Sequence, residues 1–279
     1  MSTVPRIDFH HPEAAKKFEK ALHEIGFAVI ENHPIPLQLI TEVYQKWQQF
    51  FNFDEKYRYP FDKNTHDGFA STELSETAKG HSLRDLKEYY HYFYGGRCPD
   101  SLRFVTEKIF AALNNIATIL LGWVNDNAPA TVSNKFSMPL PEMIKDSHHT
   151  LLRPIHYPPL TGTEQSGAVR AAAHEDINLL TVLLPGTEPG LQVKKDGQWL
   201  DVPIHQNWLV VNIGDMLQEC SNFYYPSTTH RVINPDSAEK NRSRLSMPLF
   251  LHPRDEVILS SRHTAKSYRE ERFRELGLL

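Results

Sequence analysis

Cysteine is nearly absent from this sequence, in which only Cys98 and Cys220 occur among 279 residues. Two thiols so far apart do not form the disulfide framework of a small secreted protein, so the composition predicts a reducing compartment. The first residues, Met1 to Asp8, also lack the basic stretch and apolar run of a signal peptide. A cytoplasmic location is therefore expected.

Excess positive charge and long apolar runs are lacking as well. The chain carries 30 Lys and Arg against 34 Asp and Glu, and its net charge is -4. That balance provides no electrostatic footprint for nucleic acid. No apolar stretch approaches the ~20 residues that cross a bilayer. We therefore expect a small-molecule partner and neither a nucleic acid nor a membrane, whereas the sequence does not indicate an oligomeric state.

Helical spacing of apolar residues dominates the first half of the chain. Gly26 should end the first helix, because glycine is favoured just past a helix end. The elements predicted here are helices over 12–25 and 36–51, a short strand over 27–30, an irregular segment over 53–96, and a long helix capped by Asp100 and Ser101 with Phe104 in its apolar stripe. Residues 1–145 are thus interpreted as a supporting helical region.

Short apolar runs separated by turn residues replace this pattern in the second half. Asp196 and Gly197 lie between two such runs, which is a strong hairpin signal. Further strands are expected over 177–184, 207–213 and 244–251, with a closing helix over 266–276. Many short strands of this kind favour a double-stranded β-helix, or jelly roll, for residues 146–279. The fold class is therefore α+β with a mainly β core.

A candidate iron site follows from His174-Glu175-Asp176 and, far downstream, His230. Side chains at i and i+2 of an extended segment point to one side. Two imidazoles and one carboxylate form the facial triad of non-heme Fe(II) oxygenases and leave coordination positions open. The alternative for His174 alone is a histidine at a strand end with a satisfied hydrogen bond. Asp215, which follows Gly214, is interpreted as a turn residue and not as a fourth ligand.

Arg244 and Ser246 share one face of a strand that is otherwise apolar. A buried guanidinium is costly unless it is paired, and it binds a carboxylate through two parallel hydrogen bonds. An Fe(II) site that splits O2 needs a two-electron co-reductant, and the far carboxylate of 2-oxoglutarate would suit this pair. A buried ion pair or an edge-strand position is the alternative for Arg244. Arg242 lies one alternation away, so the assignment depends on strand register.

Blocks along nearly the whole chain resemble the isopenicillin N synthase-like family of Fe(II)/2-oxoglutarate-dependent oxygenases. In order along the sequence they are GFAVIENHPIP from Gly26, LRPIHYP from Leu152, AHED from Ala173, GLQV from Gly190, VNIGD from Val211, HRV from His230 and RLS from Arg244. The resemblance implies that His174, Asp176 and His230 bind iron, that Arg244 and Ser246 hold the carboxylate end of 2-oxoglutarate, and that Tyr157 donates a further hydrogen bond to it. Ile155 departs from the pattern, because the family often has asparagine there.

The resemblance implies an enzyme that oxidises a small molecule with O2 and releases succinate and CO2, by hydroxylation, desaturation or ring closure. Ascorbate is a candidate reductant. An oxidase of the same family that does not use 2-oxoglutarate stays open, because its Arg-x-Ser pair binds the substrate. A Zn(II) hydrolase and a non-catalytic 2-oxoglutarate sensor are weaker alternatives. The segments 65–97 and 133–150 would define the substrate, with the aromatic stretch from Tyr89 to Tyr94 expected to reach the pocket.

Overall fold

Two β-sheets enclose an apolar interior in the computed structural model, which describes residues 3–73 and 83–275. The larger sheet contains nine strands, β1 (Arg6–Asp8), β2 (Phe27–Glu31), β3 (Gly68–Ala70), β4 (Glu88–Phe93), β5 (Leu151–Leu152), β6 (Ile155–Tyr157), β8 (Leu180–Leu184), β11 (Trp208–Ile213) and β13 (Arg244–Leu251). The smaller sheet contains four, β7 (Ala171–His174), β9 (Leu191–Lys195), β10 (Gln198–Asp201) and β12 (His230–Val232).

The strand order brings distant parts of the sequence together. In the larger sheet the order is β1-β2-β11-β8-β13, and β13 then pairs with both β5 and β6, which lead through β4 to β3. The order in the smaller sheet is β10-β9-β12-β7. Val29 and Leu183 of the larger sheet pack in one buried cluster with Val193 and Val232 of the smaller sheet. This arrangement is the predicted jelly roll, and its interior lies between the sheets.

Helices pack against the larger sheet and against one another. They are α1 (Ala14–Ile25), α2 (Leu37–Asn52), α3 (Asp100–Asn127), α4 (Ala130–Ser133), α5 (Leu140–Ile144), α6 (Asp215–Cys220) and α7 (Ala265–Glu275). Short 3-10 turns span Asp54–Arg58 and Ala238–Lys240. Gly26 ends α1 as predicted, at a φ of +74° that favours glycine. The N-terminal helices and the C-terminal helix of the prediction are therefore present.

Helix α3 is long and apolar enough to cross a membrane by length and composition. One of its faces is nevertheless buried against α1, α2 and α5, as expected for a core helix. Two expectations for it are wrong. Pro99, and not Asp100 or Ser101, occupies the cap position, and no side chain caps the helix. Phe104 lies beside the buried stripe and is 66% exposed, with the Lys108 ammonium 4.1 Å above its ring.

The N-terminal region contributes more strand than its sequence indicated. The segment over 53–96, interpreted as irregular, contains β3 and β4 of the larger sheet. The strand expected over 177–184 begins only at Leu180, because the backbone before it bonds to the start of α6. Asp215 N donates to Asp176 O at 2.7 Å, and Met216 N donates to Ile177 O at 3.1 Å. The loop that carries Asp176 is thereby fixed. The boundary near residue 145 stays a prediction.

Candidate metal centre and anion pocket

His174, Asp176 and His230 meet at one point of the interior. His174 ends β7 and lies opposite His230, the first residue of the antiparallel partner β12. Asp176 follows in the loop after β7 and not on the strand itself. One ligand atom from each side chain lies within 4.8 Å of the others. Neighbouring strands and the adjoining loop therefore bring together the three residues that the sequence predicted as ligands.

Backbone carbonyls orient both imidazole rings. His174 Nδ1 lies 2.7 Å from Ala172 O, and His230 Nδ1 lies 3.1 Å from Thr228 O. A carbonyl only accepts hydrogen bonds, so each Nδ1 carries a proton, and Nε2 is the nitrogen left for a metal. A metal-bound histidine usually donates the N–H of its other ring nitrogen to a carbonyl or a similar acceptor. Both rings are thus prepared to bind a cation through Nε2.

Two side chains hold one oxygen of the Asp176 carboxylate. Thr181 Oγ1 donates to Asp176 Oδ2 at 2.6 Å, and Asn212 Nδ2 donates to the same oxygen at 2.7 Å. The other oxygen, Oδ1, lies 3.8 Å from His230 Nε2. The carboxylate is therefore rotated so that Oδ1 faces the two imidazoles. This donor set fits a divalent cation such as Fe(II).

The protonation states also suit metal binding. Burial lowers the pKa of His174 to about 4, and the nearby His230 adds to that effect. Burial alone would raise the pKa of Asp176, but the two histidines and the hydrogen bonds from Thr181 and Asn212 outweigh it and lower the pKa. At neutral pH His174 is neutral and Asp176 is ionised. Those are the forms that coordinate metals.

Arg244, Ser246 and Tyr157 lie together further along the interior. Arg244 opens β13 directly opposite Tyr157 of β6, and Ser246 lies opposite Ile155. Arg244 is 1% exposed and Ser246 is 4% exposed. The Arg244 guanidinium lies 5.0 Å from the centre of the Tyr157 ring. Ile155 presents a buried apolar side chain where the family often has asparagine, so no amide is available at that position.

The loop between β8 and β9 positions the Arg244 guanidinium. Arg244 Nε donates to Glu188 O at 2.9 Å. A Cβ on Gly186 would lie 2.5 Å from Arg244 Nη2, so only glycine lets the loop approach this closely. Tyr44 of α2 donates to Pro185 O at 2.8 Å and holds the same loop. The buried Nη1 has no hydrogen-bond partner among the described residues. The guanidinium therefore has donor capacity for an anion.

Strand register separates Arg244 from Arg242. The Arg242 side chain is 70% exposed and lies 3.9 Å from the Glu188 carboxylate. Its guanidinium thus points outward, whereas that of Arg244 points inward.

Asp215 begins α6, and its backbone N–H holds the Asp176 loop. His149 lies in a loop, where its Nε2 is 3.0 Å from Asp255 Oδ1.

The aromatic strand β4 faces two ways. Tyr90 and Tyr92 pack with the helices, whereas Tyr89 packs in the interior cluster that contains Tyr157. Tyr94 lies just past β4 and is 70% exposed. The Arg153 guanidinium lies 4.9 Å from the Tyr89 ring centre. Residues 74–82, part of the segment expected to define the substrate, lie outside the described residues. The contact of this stretch with substrate stays a prediction.

Several polar residues of the site were not found from the sequence. Thr181 and Asn212 each interrupt an apolar strand, and that interruption was an available signal. Lys87 and Asp85 form a buried ion pair of 2.7 Å, and Ala172 N donates to Asp85 Oδ1 at 2.9 Å. The pair is thus joined to the strand of His174. Two opposite charges, separated by Leu86 just before β4, were the available signal for it.

Two family models match the chain. Residues 147–253 match the 2OG-Fe(II) oxygenase superfamily, and residues 4–102 match the N-terminal domain described as non-haem dioxygenase in morphine synthesis. The first match includes the three ligand candidates and the Arg244 pocket. The second covers α1, α2 and the strands β1 to β4.

Relatives with known structures or names agree with these matches. A putative oxygenase from Shewanella oneidensis is 52% identical, with full coverage of both chains and a TM-score of 0.89. Probable flavonol synthase 5 from Arabidopsis thaliana is 28% identical over 85% of this chain and 72% of its own length. A full-length Neurospora crassa protein, solved in complex with alpha-KG, is 23% identical over 97% and 95% of the two chains, with a TM-score of 0.79. That last likeness supports the fold.

Proposed function

The chain belongs to the 2OG-Fe(II) oxygenase superfamily, and on that premise we propose that His174 Nε2, Asp176 Oδ1 and His230 Nε2 bind its iron. The observation that carries this proposal is the meeting of three ligand atoms within 4.8 Å. Each of these side chains also uses its other polar atom in a hydrogen bond that fixes its orientation. The protein is an Fe(II)- and 2-oxoglutarate-dependent dioxygenase that oxidises a small molecule.

We further propose that Arg244, Ser246 and Tyr157 bind 2-oxoglutarate. Arg244 would hold the distal carboxylate, because its buried Nη1 lacks a partner among the described residues and Glu188 O fixes its Nε. Ser246 lies two residues further along the same strand face, and Tyr157 lies across the register from Arg244. A buried site for a carboxylate favours a 2-oxoglutarate-dependent oxygenase over a Zn(II) hydrolase, because hydrolysis does not need a second, anchored acid. It also suits the oxidase alternative, with a substrate carboxylate in its place.

Bound iron and 2-oxoglutarate supply the oxidising power in this family, as O2 is consumed and 2-oxoglutarate is converted to succinate and CO2. The residues of the chain contribute orientation and charge. Asp176 stays ionised and held by Thr181 and Asn212, so its free oxygen offers a fixed negative donor. The buried walls exclude water, which strengthens each of these interactions. Hydroxylation, desaturation and ring closure are all compatible fates for the substrate, and ascorbate is an optional reductant.

The substrate is proposed to lie on the side of the interior that Tyr89 and Arg153 line. Tyr89 is 3% exposed and packs in the interior cluster. A cytoplasmic location also remains a proposal, supported by two free, buried cysteines, Cys98 and Cys220. Burial raises the pKa of the Cys98 thiol to about 11, which keeps it unreactive. That the chain binds neither nucleic acid nor a membrane stays a prediction.

Single replacement of the three ligands tests the iron site. His174→Ala, Asp176→Ala and His230→Ala should each abolish succinate formation, and the two histidine variants should lose at least tenfold in Fe(II) affinity. The reason is that removal of even a supporting partner costs ten- to a hundredfold. His205→Ala is the matched control, because His205 is exposed and its ring lies tilted against Trp208, 5.0 Å between ring centres, outside the site. Full activity of either histidine variant would contradict the assignment. Screening small molecules for stimulated succinate formation would identify the substrate.

A further inference from the structure

A second arginine, Arg170, is buried, and its guanidinium contacts the backbone two residues before Arg244. It immediately precedes β7 and is 2% exposed. Its backbone N–H donates to Asn234 Oδ1 at 2.9 Å, and its Nη2 donates to Arg242 O at 2.6 Å. Its backbone therefore belongs to the edge of the smaller sheet, while its guanidinium reaches the chain that leads into β13 of the larger sheet.

The Arg170 guanidinium contacts the backbone two residues before Arg244 and interacts electrostatically with the Arg244 guanidinium. Burial lowers the pKa of Arg170, and the charge of Arg244 adds to that effect, whereas Tyr157 and Glu188 oppose it. Tyr157 therefore interacts with both arginines, and its ring centre lies 5.0 Å from the Arg244 guanidinium. Neither guanidinium has a carboxylate within ion-pair distance in the described part of the chain, and Glu188 itself lies 3.9 Å from the exposed Arg242.

Each of the two arginines also has a buried nitrogen without a hydrogen bond. The atoms are Nε of Arg170 and Nη1 of Arg244, both without a partner among residues 3–73 and 83–275. Two neighbouring cations with unsatisfied donors are unfavourable in a dry interior unless an anion joins them. A carboxylate has two oxygens and about four lone-pair sites, so it accepts from two guanidiniums at once.

We propose that Arg170 binds the distal carboxylate of 2-oxoglutarate together with Arg244. This inference rests on the proposed cosubstrate site and adds to it a residue outside the Arg-x-Ser motif. It assigns the chain a pocket with two guanidiniums for one carboxylate. Such a pocket compensates for Ile155, which provides no polar group to the cosubstrate. It also predicts strong selection for 2-oxo acids that carry a second acid group.

Equilibrium binding to the anaerobic, Fe(II)-loaded protein tests this role without turnover. The ligands are 2-oxoglutarate and 2-oxopentanoate, which has the same chain length but ends in a methyl group. Arg170→Ala should weaken the binding of 2-oxoglutarate by roughly ten- to a hundredfold, which is the effect of one lost charge-assisted hydrogen bond. Its affinity for 2-oxopentanoate should change by less than about threefold on that scale. Arg170→Lys, which keeps a donor for Arg242 O, should fall between wild type and alanine.

Arg242→Ala is the matched control, because it removes a neighbouring exposed guanidinium and leaves the carbonyl that Arg170 uses. It should leave both affinities unchanged. If Arg170→Ala and Arg170→Lys weaken the binding of 2-oxoglutarate and of 2-oxopentanoate by equal factors, the proposal is overturned. That result would mean that Arg170 only stabilises the packing of the sheets. Unchanged 2-oxoglutarate binding in both variants would overturn it as well. Arg244→Ala, measured in parallel, distinguishes failure of the Arg170 proposal from failure of the proposed cosubstrate site. If Arg244→Ala too leaves 2-oxoglutarate binding unchanged, the cosubstrate site itself is wrong.

Discussion

Replacing Arg244 by alanine should raise the apparent KM for 2-oxoglutarate by more than a hundredfold. Arg244 Nε already donates its hydrogen bond to Glu188 O, so the outer nitrogens are the ones available to a carboxylate. Two charge-assisted hydrogen bonds of about 1.5–3 kcal/mol each would be lost. That sum agrees with the ~3–5 kcal/mol that follows from breaking one partner of a buried pair. A loss of about 3 kcal/mol already corresponds to more than a hundredfold in binding.

Two milder changes to the same contact should give intermediate effects. Arg244→Lys keeps the charge but loses the planar fork, so its apparent constant should lie between those of wild type and alanine. Gly186→Ala leaves Arg244 intact, yet the added Cβ would lie 2.5 Å from Nη2 and 2.8 Å from Cζ. The guanidinium must then move, and 2-oxoglutarate binding should weaken with no change in the charge of the pocket.

The assay is succinate formation at varied 2-oxoglutarate, together with the change in the Fe(II) spectrum on chelation. Fe(II) affinity should stay unchanged, because the three ligands are intact, and Arg242→Ala should have little effect because its side chain is 70% exposed. A rise of less than tenfold in Arg244→Ala would refute the reasoning. If wild-type protein neither consumes 2-oxoglutarate nor shows the spectral change, Arg244 holds a substrate carboxylate instead.

Two further outcomes are expected. Asn212→Leu and Thr181→Val should each reduce Fe(II) affinity by about ten- to a hundredfold, because they free the Asp176 oxygen that these side chains hold; an Fe(II) titration with wild-type affinity would contradict this. Burial lowers the pKa of His252 to about 3, so the unfolded chain takes up a proton near pH 6.5 that folded His252 does not. The free energy of unfolding should therefore fall by about 2 kcal/mol from this residue as the pH drops to 5. His252→Asn should flatten that dependence in urea melts, and an unchanged slope would show that His252 is not its source.

Local signals predicted the elements of the fold better than their pairing. Gly26 and the apolar spacing before it placed the end of α1, and Asp196-Gly197 placed the β9–β10 hairpin. The loop before Leu180 was not predicted, because the apolar residues there continue the pattern of the strand. Its shape depends on backbone hydrogen bonds to Asp215 and Met216, which are contacts that no local pattern encodes. The strands β3 and β4 were missed for a related reason, since β3 pairs with no strand other than β4 in the described part of the chain, and β4 pairs further with the distant β5 and β6.

The same distinction explains the site. Arg244 and Ser246 share a strand face, so strand spacing was enough to group them. His174 and Asp176 were grouped by closeness in sequence, although Asp176 lies in the loop after β7 and not on the strand. Arg170 has no such neighbour: its Nη2 contacts Arg242 O, 72 residues further along the chain and across the two sheets. Before the sheets are assembled it is one arginine at the start of a short apolar strand. Only the closed interior shows that Arg170 and Arg244 each have a buried nitrogen without a partner in the described part of the chain, and this is the observation behind the proposal that one carboxylate binds both.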